Sequence, residues 1–222
     1  MTRFPLILIA LGLLIWFSLT ARRMWQEARA RKATRAAWMA DVADQLSDPR
    51  QTLTETGFPR LSGQFQGHSF DLQAIPDALS YRKLPTLWLM VTLTEPMPLK
   101  AETRIMARAS GLEAFSTFAS LPVEVTLPPD FPPHCTLRTQ DAAALPPVPV
   151  LAPIARLMAD PKVKEVVLSP KGLRIVYLAE EGARSAYLIH RDAEFGQSRL
   201  SLSLARHLME TTLSLAEDLN AR

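Results

Sequence analysis

The first 40 residues constrain this chain more than any other part of it. An uncharged apolar run, Phe4 to Thr20, is followed by Arg22, Arg23, Arg29, Arg31, Lys32 and Arg35. As a helix of roughly 17 residues rising about 1.5 Å each, the run would reach about 25 Å, the short end of what crosses a bilayer. The expectation is a single-pass transmembrane helix over residues 1–21, acting as an uncleaved signal anchor. Only Arg3 and the α-amino group precede the run, whereas six Lys/Arg and one acid, Glu27, follow it. Positive charge is kept in the cytoplasm, so the expected site is the bacterial inner (cytoplasmic) membrane, with the N-terminus outside and the C-terminal domain in the cytoplasm. A cleaved signal peptide fits less well. Leu19-Thr20-Ala21 puts Leu where cleavage needs a small residue, and Arg22-Arg23 opposes export.

The charge of the remainder excludes one class of partner. The chain carries +3, but residues 1–40 alone contribute +6, from seven Lys/Arg and one acid, which leaves −3 on residues 41–222. A mildly acidic domain has no electrostatic footprint for nucleic acid. The single cysteine, Cys135, allows no internal disulfide and fits a reducing compartment.

Beyond the anchor, residues 22–49 read as a basic, Ala-rich juxtamembrane helix without Gly or Pro before Pro49. In it Trp38, Met39, Val42 and Leu46 form an apolar stripe expected to pack on the domain. Residues 50–222 read as one globular α+β domain: an antiparallel sheet with helices mainly on one face. Its parts are a β-rich half (50–120), a Pro-rich connection (121–153) and a helix–three-strand–helix half (154–222).

Alternation of apolar and polar residues predicts a hairpin over 60–75. With Gly67-His68 as its loop, Phe65 faces Phe70, Gly63 faces Leu72 and Leu61 faces Ala74. Residues 86–95 are apolar on both faces, as a central strand covered on both sides must be. Residues 102–109 are expected to pair with it across Pro96–Lys100, and residues 121–127 to form another strand. A short helix from Pro153 to Ala159 precedes a predicted meander of Val163–Leu168, Leu173–Ala179 and Arg184–Arg191, in which Leu173 faces His190 across a Glu181-Gly182 loop. Ser198 or Ser201 caps a closing helix to about Leu219. Leu204, Leu208, Leu215 and Leu219 form its buried side, and Arg206, Glu210 and Glu217 its wet side.

No stretch carries catalytic chemistry on its face. His68, His134, His190 and His207 form no His-x-x-x-His pair, and no Cys-x-x-Cys exists, so no metal or cofactor is expected. His190-Arg191-Asp192 copies three letters of a kinase catalytic loop without the Gly-rich loop or the Asn that must accompany it.

The expectation is therefore a non-catalytic interaction or assembly protein, docking on a membrane complex or recruiting a soluble protein. Tyr81, Arg82, Lys83 and Phe131 are its candidate partner-binding residues. Arg22, Arg23, Arg29, Arg31, Lys32 and Arg35 are candidate lipid-headgroup residues. Two alternatives remain open from sequence: an enzyme with a dispersed site drawn from His68, Asp71, Asp77, Arg82 or His190, and an anionic-lipid sensor acting through the basic stem.

Overall fold

The computed structural model describes residues 3–77, 84–111, 113–182, 195–196 and 198–221, with side chains from residue 11 onward. Helix α1 (Arg3–Ala36) leads through a turn into a short α2 (Ala40–Ala43). The strands are β1 (Ser47–Leu53), β2 (Pro59–Phe65), β3 (His68–Asp77), β4 (Thr86–Leu93), β5 (Thr103–Ala107), β6 (Val123–Val125), β7 (Cys135–Thr139), β8 (Val163–Ser169) and β9 (Gly172–Glu181). Helix α3 (Val148–Met158) lies between β7 and β8, and α4 (Leu202–Asn220) follows β9. The strands make one 9-stranded sheet in the order β1-β2-β3-β4-β9-β8-β5-β7-β6, and every pairing is antiparallel.

The α+β class and the antiparallel sheet agree with the sequence reading, but the transmembrane helix does not. Among the described residues, no helix is long and apolar enough to cross a membrane. Helix α1 is 34 residues long, but charge enters it at Arg22 and Arg23 and recurs at Glu27, Arg29, Arg31, Lys32 and Arg35.

One face of the sheet carries the main core. Leu61, Leu72, Val91, Ile175, Val166, Ile105 and Leu137 point into it. Helices α3 and α4 cover it with Leu151, Ile154, Met158, Leu208, Met209 and Leu215. The cap of α4 is Ser201, whose hydroxyl accepts from the Leu204 N–H at 3.4 Å, as its sequence suggests. Arg206, Glu210 and Glu217 are exposed on its outer side.

The stripe after α1 packs on this core. Trp38, Met39, Val42 and Leu46 are all buried, and Trp38 meets Phe58 edge to face at 6.1 Å. The Trp38 carbonyl accepts from the Leu200 N–H at 2.7 Å, which ties the stem to the start of α4. The packed unit thus begins near Trp38 rather than at residue 50. Residues 47–53 form an edge strand that contains Pro49. An edge tolerates proline because one row of its donors is unpaired, and a bulge between Ser47 and Arg50 absorbs the misfit.

Two expected pairings are corrected. The first hairpin turns at Gln66-Gly67, both at positive φ (53° and 84°), as a type I′ turn requires. Phe65 therefore faces His68, Gly63 faces Phe70 and Leu61 faces Leu72. This two-residue shift keeps every side chain on its expected face, and Phe65 still meets the Phe70 ring diagonally at 6.2 Å. Strand β5 pairs with β7 and β8, not with β4. Strand β9 is flanked by β8 and β4, while residues 184–191, expected as its hairpin partner, lie outside the described residues. Helix α3 starts at Val148, a full turn before Pro153, because Pro149 sits in the first turn, where no N–H is needed.

Two outcomes test this packing. A chain shortened to residues 37–222 is expected to melt cooperatively by circular dichroism. One shortened to 50–222 should lose stability sharply, since a buried Trp alone contributes about 3–5 kcal/mol. Leu208→Ala should cost about 2–5 kcal/mol in urea unfolding. Gly172→Ala should cost more than a surface change ever does: Gly172 sits at φ 146°, and a Cβ there would overlap the Leu93 carbonyl oxygen.

Candidate functional site

The sheet face away from α3 and α4 concentrates the polar chemistry. The register places Ser62, Asp71, Thr92, Arg174, Val167, Arg104, Arg138 and Glu124 in one row across eight strands. Two residues along lies a second row on the same face: Arg60, Gln73, Met90, Val176, Glu165 and Met106. In a strand, residues two apart share a face, so both rows look the same way.

A strap covers part of this face. Phe115 and Phe118 pack on Met90, Met106 and Val176 in a second, smaller core. Trp88 joins it, with ring centroids 5.2 Å from Phe115. Between the two phenylalanines, Ser116 donates to Glu165 Oε1 at 2.5 Å. Its oxygen accepts from Arg104 Nη1 at 3.0 Å and from the Phe118 N–H at 3.1 Å. A serine hydroxyl has one proton and two lone pairs, so all its bonding capacity is used here, which suits a structural post and not a nucleophile.

Arg104 is the hub. Its Nε donates to Glu102 Oε1 at 2.6 Å, and Nη1 reaches Glu165 Oε1 at 3.5 Å. Glu165 is almost wholly buried. Burial pushes its carboxyl above the usual range, against the opposing pull of Ser116, Arg104 and Arg174. Arg174 is pulled below the ordinary arginine value, first by burial and then by the nearby charge of Arg104; Glu165, Asp71 and Glu102 partly offset this. Its Nε donates to Thr92 Oγ1 at 2.9 Å. Thr92, Glu102, Arg104, Ser169, Lys171 and Arg174 line a cleft of about 210 Å³ beside the strap.

The residues singled out from sequence lie elsewhere or do other work. Tyr81, Arg82, Lys83 and His190 lie outside the described residues. Phe131 is 7% exposed and packs in the main core, which withdraws it from any surface contact. Arg22, Arg23 and Arg29 are exposed along α1. Arg31, Lys32 and Arg35 line a recess of about 270 Å³ with the Glu55–Gly57 turn, and Arg35 stacks over Phe58 at 5.7 Å.

His68 Nδ1 contacts Glu95 Oε2 at 3.0 Å at the first hairpin. Burial would raise Glu95, but His68 and the Ser69 N–H outweigh it and hold its carboxyl below the usual range. Asp71 pairs with Arg60 at 2.8 Å on the open face. Burial pushes the Cys135 thiol up, against a small opposing effect of Arg108, so it is no ready thiolate. Lys164 Nζ donates to the Ala107 and Arg108 carbonyls at 2.8 Å each and lies 3.3 Å from Glu113. His134 and His207 are exposed. Among the described residues, no group of three His, Cys, Asp or Glu could hold a metal ion.

Arg104, Glu165 and Arg174 were not singled out from sequence. Their signal is charge inside apolar strands, as in Val163-Lys164-Glu165-Val166-Val167 and Leu173-Arg174-Ile175. Only the strand order shows that these charges meet.

No family model matches the chain, no curated protein matches its sequence, and no solved structure matches its fold.

The buried carboxylates set opposite pH dependences. Glu165 has a folded-state pKa above the unfolded value of about 4.3, so the folded protein holds its proton more tightly. Stability is expected to fall as pH rises from that value through the folded one, and Glu165→Gln should flatten this slope. Glu113 is the reverse case. Burial would raise it, but Ser110 and Lys164 outweigh burial and hold it low. Its contribution should be present above about pH 4.3 and fade as pH falls through its folded pKa. Urea midpoints across a pH series for wild type, Glu165→Gln and Glu113→Gln check both signs.

Proposed function

We propose that this chain is a non-catalytic interaction protein, held to the cytoplasmic surface of a membrane by α1, whose sheet domain presents its open face to a protein partner. The observation that carries this reading is the N-terminal helix. Leu14, Trp16 and Phe17 are 65%, 64% and 70% exposed, and Leu11, Leu13, Ile15 and Leu19 are open as well. Apolar surface of this extent needs cover. A helix with such an apolar segment can bury its side chains at a membrane surface without crossing. Arg22, Arg23 and Arg29 follow directly, where anionic headgroups would meet them; each such cation adds about 1 kcal/mol of attraction. The interaction reading draws support from the groups that an enzyme would use. Ser116 and Glu165 are locked to the strap, Lys164 to two carbonyls, and His68 to Glu95.

Flotation tests the attachment. The full chain should float with vesicles of mixed phosphatidylglycerol and phosphatidylcholine, and less with phosphatidylcholine alone. A Leu14→Glu/Phe17→Glu variant should stay in the dense fraction. A folded wild-type chain that sediments away from both vesicle types would overturn the attachment. For the partner, photo-crosslinking side chains at Ser62 and Gln73 on the open face should capture a common protein, whereas one at Glu210 on the outer side of α4 should not. Equal capture from both sides would overturn the assignment of the face.

A further inference from the structure

We infer that the cleft beside Arg104 and Arg174 is a seat for a single carboxylate, of an Asp or Glu side chain on the partner protein. The inference rests on the open face being the partner-binding face, and it names the chemistry that the face recognises there. Arg174 and Arg104 lie on either side of Val167 in the cross-sheet row, two strand spacings or about 10 Å apart at Cα. Lys171, on the exposed turn between β8 and β9, closes the third side.

The lining holds three cations and one acid, Glu102, which already accepts from Arg104 Nε. Arg174 is the asymmetric member. Among the described residues, its only hydrogen bond is from Nε to the neutral Thr92 hydroxyl, and no carboxylate lies within ion-pair distance of it. The pair of terminal N–H groups that fits a carboxylate side-on is left over. Arg104, by contrast, is fixed by three acceptors. It supplies a rigid positive wall and needs no rearrangement on binding.

Size and charge select the ligand. The cleft, at about 210 Å³, is smaller than the roughly 300–1,000 Å³ of cofactor and drug-sized sites, so it admits a side-chain group. Counting Glu165 just behind the lining, the local excess is a single positive charge when that carboxyl is ionised. That balances a monoanion better than a phosphate dianion. The cleft opens along an extended sheet face, where a segment of a partner can lie with one acidic side chain turned in.

The probe is butyrate, a monoanion that ends as a glutamate side chain does, with inorganic phosphate and sodium chloride at matched ionic strength as comparisons. The full chain is reconstituted in nanodiscs, and the arginine Nε–H resonances of Arg104 and Arg174 are followed by NMR. Butyrate should shift both resonances saturably, and chloride should not. Arg174→Gln, followed at Arg104, should weaken butyrate binding about tenfold, as expected for a charged hydrogen-bonding group. Lys171→Ala, an exposed change on a turn that leaves the fold intact, should weaken it about threefold through lost charge alone. Three results would each overturn the carboxylate seat: tighter binding of phosphate than of butyrate, no saturable shift with butyrate, or butyrate binding unchanged in both variants. If crosslinking from Ser62 and Gln73 still captures the partner while butyrate fails, the seat is wrong and the partner face stands.

Discussion

The pairing of β4 with β9 holds the molecule together. It joins the meander β1–β4, built from residues 47–93, to the strands that follow. The partners are far apart in sequence: Leu93 pairs with Leu173, and Thr86 with Glu181. Without this seam there would be two narrow sheets, each with an apolar strand at its edge and half a core. With it, Leu89, Val91, Leu173 and Ile175 become interior residues under α4. The seam also explains Gly172. The turn from β8 into β9 is tucked against the backbone of Leu93, and only a residue without a side chain allows that approach. Loop-closure entropy makes such long-range pairing the slow part of folding, so assembly of the seam is the expected rate-limiting event.

The seam also decides where charge can sit. A sheet with helices on one side has a wet face and a dry face, and the register keeps them separate across all strands. Thr92 and Arg174 meet on the wet face because β4 and β9 are in register there. Arg104 meets Glu165 because β5 docks on β8. The strap at 113–120 then covers part of the wet face, converting two surface charges into buried ones. The candidate site is thus a consequence of topology, built from side chains on four strands and two loops, and only the strand order brings Thr92 beside Arg174 and Arg104 beside Glu165.

That is also why the sequence was legible in some places and opaque in others. Local periodicity gave the faces of β2, β3 and β4 correctly, because alternation is a property of the strand itself. It could not give the register of the first hairpin, since a slip of two residues leaves Leu61, Phe65, Phe70 and Leu72 on the same side. Turn chemistry decided between the two registers, with Gln66 and Gly67 at positive φ where Gly67-His68 was expected to form the loop. The closing helix and the Trp38 stripe were readable from helical spacing. Strands β1 and β7 were not: Pro49 lies inside one, and Pro132 and Pro133 lie just before the other. Edge positions and bulges tolerate the proline that a central strand rejects. The partner of β5 was unreadable for a different reason. An apolar strand carries no label for its neighbour, so proximity in sequence suggested β4 where the structure chose β7 and β8. The apolar N-terminal run suggested a spanning helix by composition, but among the described residues no helix is long and apolar enough to cross a membrane.

The buried charge itself carries an argument about purpose. Met90, Met106 and Val176 show that the space under the strap can be filled by apolar side chains. Replacing a buried ion pair by well-packed apolar residues is often neutral or stabilising, because desolvation offsets most of the Coulomb attraction. The hydrogen bonds of Ser116 to Arg104 and Glu165 thus add geometry to a strap that Phe115 and Phe118 already pack in place. What apolar residues cannot do is fix a guanidinium in place with its charge facing a cleft. The three hydrogen bonds to Arg104 do this, and the charge of Arg104 in turn acts on Arg174. A network that costs stability and yields a preorganised cationic wall is better understood as part of a recognition surface than as part of the core.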